Sequence, residues 1–340
     1  MSKKIFNGIS TLSVITSTAD REDCGNCCIY RVDEAAAKAV AGVCEGCTDY
    51  ADVRYPEFDD QSGAFIGSRI SAAGVLSWFT AERCLFNDSD AERLHSSIDV
   101  FMRKAKRRLD YEGKPIFKKK ARTFASSAAV IAVDYASDSK VECEFLWAGN
   151  NRGYVLDTYG LCQITDDDVS APKNALRTRV RGERLANAIN ADTDYNINFR
   201  RINVNEPMML ISSTVAGFDD FSSPMEFEYA ILYALIKASN IADWETRLKS
   251  IIREYTENDF SMTVMSVGFT DFNQMKAYYE PRVRQLIEQY IRPLNAARSG
   301  ESSISPEELW REYKNGYYRY KGRTPNVLQK LRTRYQTVRK

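Results

Sequence analysis

The chain has 340 residues, of which 44% are hydrophobic and 27% charged, with a formal net charge of +1; these are the proportions of a soluble globular protein long enough to bury a substantial core. No apolar run approaches the roughly 20 residues of a membrane helix, and no apolar signal region follows Met1-Ser2-Lys3-Lys4, so neither a membrane span nor a secretory leader is expected. The charge is uneven: residues 271–340 hold 15 Lys and Arg against 7 Asp and Glu, or +8, which leaves about −7 on the first 270.

From the N-terminus, apolar patterning predicts strands at 10–16, 28–32 and 39–44. Around the second and third lie Asp23-Cys24-Gly25-Asn26-Cys27 and Cys44-Glu45-Gly46-Cys47, two acids interleaved with two CxxC pairs. Two metal sites are open at this point. Cys24, Cys27, Cys44 and Cys47, with 16 residues between the pairs, have the spacing of a four-thiolate zinc site. Asp23 and Glu45 suit manganese or magnesium, hard cations that prefer carboxylates. With no leader, the eight cysteines are expected to stay reduced in a cytoplasmic protein, as thiols or metal ligands.

Helical periodicity follows at 68–79 and 91–109. His95 lies off the apolar stripe of the second helix and is expected at the surface. Between Arg103 and Arg122 stand ten basic residues, including Lys118, Lys119 and Lys120. This patch, Arg122 included, is either a solvated face or a surface for a phosphorylated or acidic partner. Further strands are predicted at 128–135, 141–148, 154–157, 161–165, 208–212 and 262–269, and helices at 225–238 and 244–255. Strands interspersed with helices indicate an α+β layered fold. After about residue 270 the pattern is helical only: 272–298, then a helix from Pro306, with Ser305 as N-cap and Glu307 and Glu308 in its first turn. Lys314 to Lys340 carries nine basic residues, no acid and four tyrosines. Through Lys330, Arg332 and Arg334 it could meet an acidic partner or nucleic-acid phosphate, although no recognised nucleic-acid module accompanies it.

Several motifs stand together in one order. Arg21-Glu22-Asp23, Val43-Cys44-Glu45-Gly46, Ala125-Ser126-Ser127-Ala128, Gly149-Asn150-Asn151-Arg152, Met209-Leu210-Ile211-Ser212-Ser213-Thr214 and Asn258-Asp259-Phe260-Ser261 resemble the ordered motifs of the metal-dependent protein phosphatases of type 2C, over roughly residues 9–270. The resemblance implies a four-layer α-β-β-α sandwich of two antiparallel sheets flanked by helices over 1–270, with a basic helical extension over 271–340. It further implies two metal ions activating a water that attacks phosphoserine or phosphothreonine. The positions matching the family's ligands are Asp23, Glu45, the Gly46 carbonyl, Asn150, Thr214 and Asn258, with Asp259 beside the last. Only Asp23 matches unchanged; Asn150, Thr214 and Asn258 are neutral. One charge about 4 Å from a cation contributes on the order of 4 kcal/mol at an effective dielectric near 20, before desolvation. Loss of three predicts at most one weakly held Mn or Mg, with Zn at the thiols, or no metal at all, as the alternatives. No catalytic residue is singled out. The expectation is a phosphatase-fold pseudoenzyme in a binding or regulatory, signalling role. A working Mn- or Mg-dependent Ser/Thr phosphatase and a zinc-stapled interaction module are the alternatives.

Overall fold

A computed structural model describes residues 9–16, 24–47, 53–82, 86–110, 122–137, 139–169, 185–301 and 303–320, the first of these segments by its backbone. Asp23, Lys118, Lys119, Lys120, Lys330, Arg332 and Arg334 lie outside the described residues.

In chain order the elements are β1 (Ile9–Thr16), β2 (Asn26–Asp33), β3 (Lys38–Gly46), the short β4 (Arg54–Tyr55) and β5 (Gln61–Ser62), α1 (Gly63–Ser77) and α2 (Asp90–Asp110). Then come β6 (Ser126–Asp134), β7 (Val141–Ala148), β8 (Arg152–Asp157), β9 (Gly160–Gln163), β10 (Asn198–Val204) and β11 (Met208–Ser213). They are followed by α3 (Pro224–Lys237), α4 (Ile241–Arg253), β12 (Phe260–Val267), α5 (Phe272–Leu286), α6 (Arg292–Arg298) and α7 (Pro306–Tyr317). Two five-stranded sheets result, ordered β1-β12-β11-β8-β9 and β10-β7-β6-β3-β2. Every pairing in them is antiparallel.

Three apolar layers make this an α-β-β-α sandwich. Val40, Cys44, Val130 and Leu146 pack beneath Val75 of α1 and Ile98 of α2. Ala41, Ile131, Phe145, Val155, Leu210 and Met265 fill the space between the sheets. Tyr154, Ile211 and Val264 meet the remaining helices through Phe227, Leu248 and Tyr279. Period-two alternation sends neighbouring residues of each strand into different layers.

Helix α1 starts at Gly63, five residues before the apolar stripe suggests, because Ser62 caps it by accepting the Phe65 N–H at 3.1 Å. Its first turns hold Gly63 and Gly67, poor helix formers that weaken the helical signal. Strand β10 is not evident from patterning. Its apolar Ile202 and Val204 are masked by Arg200, which is buried against the Ile164 carbonyl, and by Arg201, which pairs with buried Glu144 on β7 at 3.0 Å.

The described residues after 270 are mainly helical and join an apolar cluster of the body. Tyr279, Leu286, Leu294, Trp310, Tyr313 and Tyr317 belong to the same apolar cluster as Tyr154 and Phe227. Arg282 forms a two-pronged ion pair with fully buried Glu228, at 2.7 and 3.0 Å, and Tyr313 donates to the same carboxylate. Helix α7 opens with a complete capping box, in which Ser305 and Glu308 satisfy each other's backbone N–H. No helix among the described residues is long and apolar enough to cross a membrane.

Candidate functional site

One end of the sandwich gathers the end of β3, the β7–β8 turn, the end of β11 and the approach to β12. In β3, Cys44 packs toward α1, so alternation turns Glu45 to the other side, toward the facing sheet. There its carboxylate accepts the Val215 backbone N–H at 3.4 Å. Gly46 is dictated by packing: a Cβ at this position would lie 2.0 Å from the Ala64 carbonyl oxygen, where α1 begins.

Thr214 is completely buried. Its Oγ1 accepts the Ser261 N–H at 2.9 Å and donates to the Ser261 carbonyl at 3.3 Å. The Thr214 N–H donates to the same carbonyl at 2.9 Å. The side chain thus clips β11 to β12 one residue beyond their ladder. Asn258 is exposed; its amide donates to Asp220 at 3.4 Å, and its carbonyl accepts from Arg253 at 2.9 Å. Asn150 sits half-buried in the β7–β8 turn after Gly149, whose φ of 93° favours glycine. Asp259 is half-buried beside Cys24, whose thiol is raised by burial and, to a lesser degree, by the Asp259 charge.

A two-metal cage needs several convergent carboxylates. Of the matching positions that are described, only Glu45 and the neighbouring Asp259 are acidic. Asn150, Thr214 and Asn258 are neutral, and the Thr214 oxygen is already committed to backbone. No three His, Cys, Asp or Glu side chains among the described residues converge as metal ligands would. The described donor set does not fit a two-metal centre.

The thiols divide for a geometric reason. Cys27 stands opposite Cys44 in the β2–β3 register. Cys24 and Cys47 lie three residues beyond, outside the two strands, with a bend at Gly25. No three of these thiols converge as metal ligands would. Nor are Cys27 and Cys44 well placed for a disulfide. The Gly46 N–H bonds the Gly25 carbonyl at 2.8 Å, so the pair two residues on is also of the hydrogen-bonded kind, with Cβ atoms near 5.5 Å against about 4 Å in a disulfide. Burial pushes the Cys27 thiol up, and the fully buried Cys44 thiol well up, so neither readily forms a thiolate.

Of the basic residues singled out, Arg122 donates to the Leu185 carbonyl at 3.0 Å. The His95 ring is half-buried and lies tilted against Tyr195, with centroids 4.4 Å apart. Arg152, the last residue of the Gly149–Arg152 motif, makes a paired bond to Asp167 at 2.8 and 2.7 Å and lies over the Phe218 ring, and so acts as a structural brace. Sequence reasoning missed a set of buried polar residues at this same end: Asn26, Asn151, Ser212, Ser261 and Thr263. Their signal was hydroxyl and amide side chains at positions where alternation calls for apolar ones.

No protein-family model matches the chain, and no curated protein does. Solved structures do. The serine/threonine phosphatase PstP/Ppp of Mycobacterium tuberculosis is 13% identical, with 76% of this chain and 98% of that one covered at a TM-score of 0.54. Serine/threonine phosphatase Stp1 of Staphylococcus aureus is 14% identical, with 78% and 97% covered at 0.54. PppA, a regulatory component of the type VI secretion system in Pseudomonas aeruginosa, is 12% identical, with 77% and 99% covered at 0.52.

Proposed function

Starting from a chain that has the fold of the type-2C serine/threonine phosphatases, we propose that it uses this fold for binding or regulation and not for efficient hydrolysis. The observation that carries this reading is Thr214. At a ligand position it offers a neutral oxygen, fully buried and already bonded twice to the Ser261 backbone. Asn150 and Asn258 remove two further charges, and Glu45 is tied to the Val215 N–H. Such a donor set holds Mn or Mg weakly at best, and a site seldom occupied by its ion seldom holds an activated water. The partner this reading favours is a protein, phosphorylated or acidic, engaged through the basic residues of 103–122 or the basic C-terminal stretch.

The test is hydrolysis of a phosphothreonine peptide by the full chain with and without millimolar Mn, together with a manganese titration. Turnover indistinguishable from the buffer control, and unchanged in Glu45→Ala, is expected. Manganese-stimulated hydrolysis that disappears in Glu45→Ala would overturn the reading in favour of a working phosphatase.

A further inference from the structure

Nine buried side-chain nitrogen and oxygen atoms among the described residues have no nitrogen or oxygen partner, and six of them lie at the candidate end: Asn26 Nδ2, Asn151 Nδ2 and Oδ1, Ser212 Oγ, Thr263 Oγ1 and Ser261 Oγ, the last of which meets only the Cys28 thiol. All five residues are at most 4% exposed. Polar atoms so deeply buried nearly always find partners.

The strand register makes them neighbours. Ser212 stands opposite Thr263 in the β11–β12 ladder. Both share a face with Leu210 and Met265, which line the space between the sheets. Ser261, two residues before Thr263, points the same way. Gly153 stands opposite Ser212 on the other side of β11, and Asn151, two residues earlier, continues that face. From the opposing sheet, the Cys28 thiol reaches the Met262 carbonyl at 3.7 Å. Asn26, two residues before Cys28 on β2 and opposite Glu45, faces the same space. Hydroxyls and amides thus occupy adjacent rows where the apolar inter-sheet core should continue.

The chemistry of these groups selects the occupant. They carry no charge, so nothing among them neutralises a divalent ion. Two amide nitrogens point donors where a cation would need oxygens, and the Glu45 carboxylate close by opposes an anion. The set mixes donors and acceptors, as a water cluster requires.

We infer that this end of the sandwich encloses ordered water, about two molecules if each makes about three hydrogen bonds, in a neutral chamber between the sheets behind Glu45. The inference deepens the proposed function and rests on it only in that no metal pair displaces the water. The chamber also tells what replaced the apolar core here: a hydrated layer joining β2, the β7–β8 turn, β11 and β12.

Water-oxygen-17 magnetic relaxation dispersion on the metal-free full chain counts long-lived internal waters. The expected result is a loss of about one to two such waters in the double variant Ser212→Ala/Thr263→Val, with circular dichroism unchanged. An unchanged count in the folded double variant would overturn the inference. If that variant does not fold, a crystal structure of the unaltered chain decides: density bridging Ser212, Thr263 and Asn151 supports the chamber, and a dry gap refutes it. Neither readout depends on turnover, so phosphatase activity could appear and sink the functional reading while the water count stands by itself.

Discussion

At the scale of single residues, Thr214 and Glu144 carry measurable consequences. Thr214→Val keeps the shape of the side chain but leaves the buried Ser261 N–H without its acceptor. The expected cost is about 1–3 kcal/mol, read from urea unfolding, with the m-value unchanged. A ligand-only role for Thr214 would predict no loss in metal-free buffer. Glu144 is fully buried at its carboxylate. Burial, and then the charge of nearby Asp90, raise it from its ordinary 4.5 to about 7, while Arg201 pulls the other way. The folded chain therefore holds a proton that the unfolded chain releases. Stability from this group is complete below about pH 4.5 and is lost as pH rises through 7, by on the order of 3 kcal/mol. Glu144→Gln should flatten the fall in melting temperature between pH 5 and 8; a slope as steep as that of the unaltered chain would refute the assignment. Among the groups facing Glu144 are Asp90 and Arg201, and Arg201 in turn lies 3.8 Å from Asp88.

Among elements, the junction of β3 with α1 sets the geometry of the functional end. Gly46 is required there whether or not its carbonyl ever meets a metal, because a Cβ would press on rigid backbone: the Ala64 oxygen at 2.0 Å and its Cα at 2.3 Å. Gly46→Ala should cost about 3 kcal/mol, at the upper end of overpacking effects. A melting temperature within a degree of the original would show that α1 can shift. Gly74 plays the same part between α1 and α2, where a Cβ would meet Ile98 Cα at 2.6 Å. Tight helix contacts hold the end of β3 in place, and with it Glu45.

For the whole molecule, the C-terminal helices are part of the sandwich. The Arg282–Glu228 pair is 6% and 0% exposed at its side chains, and Tyr313 bonds the same carboxylate. Arg282→Leu would strand a buried carboxylate, so a loss of about 3–5 kcal/mol is expected in thermal unfolding. The double variant Arg282→Leu/Glu228→Leu should recover much of it. Equal losses in the single and double variants would refute the pair's role. Arg319 adds a second fastening, to Asp157 at 2.7 Å and to the Gly160 carbonyl at 3.0 Å. It ties the end of the described chain to the β8–β9 hairpin.

The sequence by itself determined the element types, the helix starting at Pro306 and the order of motifs that points to a phosphatase-like sandwich, because periodicity, caps and motif order are local. It also exposed neutral residues at the positions that resemble the family's metal ligands, since charge is a property of residue type. Strand β10 escaped because paired arginines hide its alternation, and the early start of α1 escaped because Gly63 and Gly67 weaken its helical signal. Only the tertiary structure decided the rest. Register set Cys27 opposite Cys44, packing required Gly46, and the Ser261 backbone took up the Thr214 oxygen. The buried hydroxyls and amides gathered at this end became visible only when strands far apart in sequence were laid side by side. Hydrogen-bond satisfaction and burial are relations between distant residues, and no local pattern encodes them.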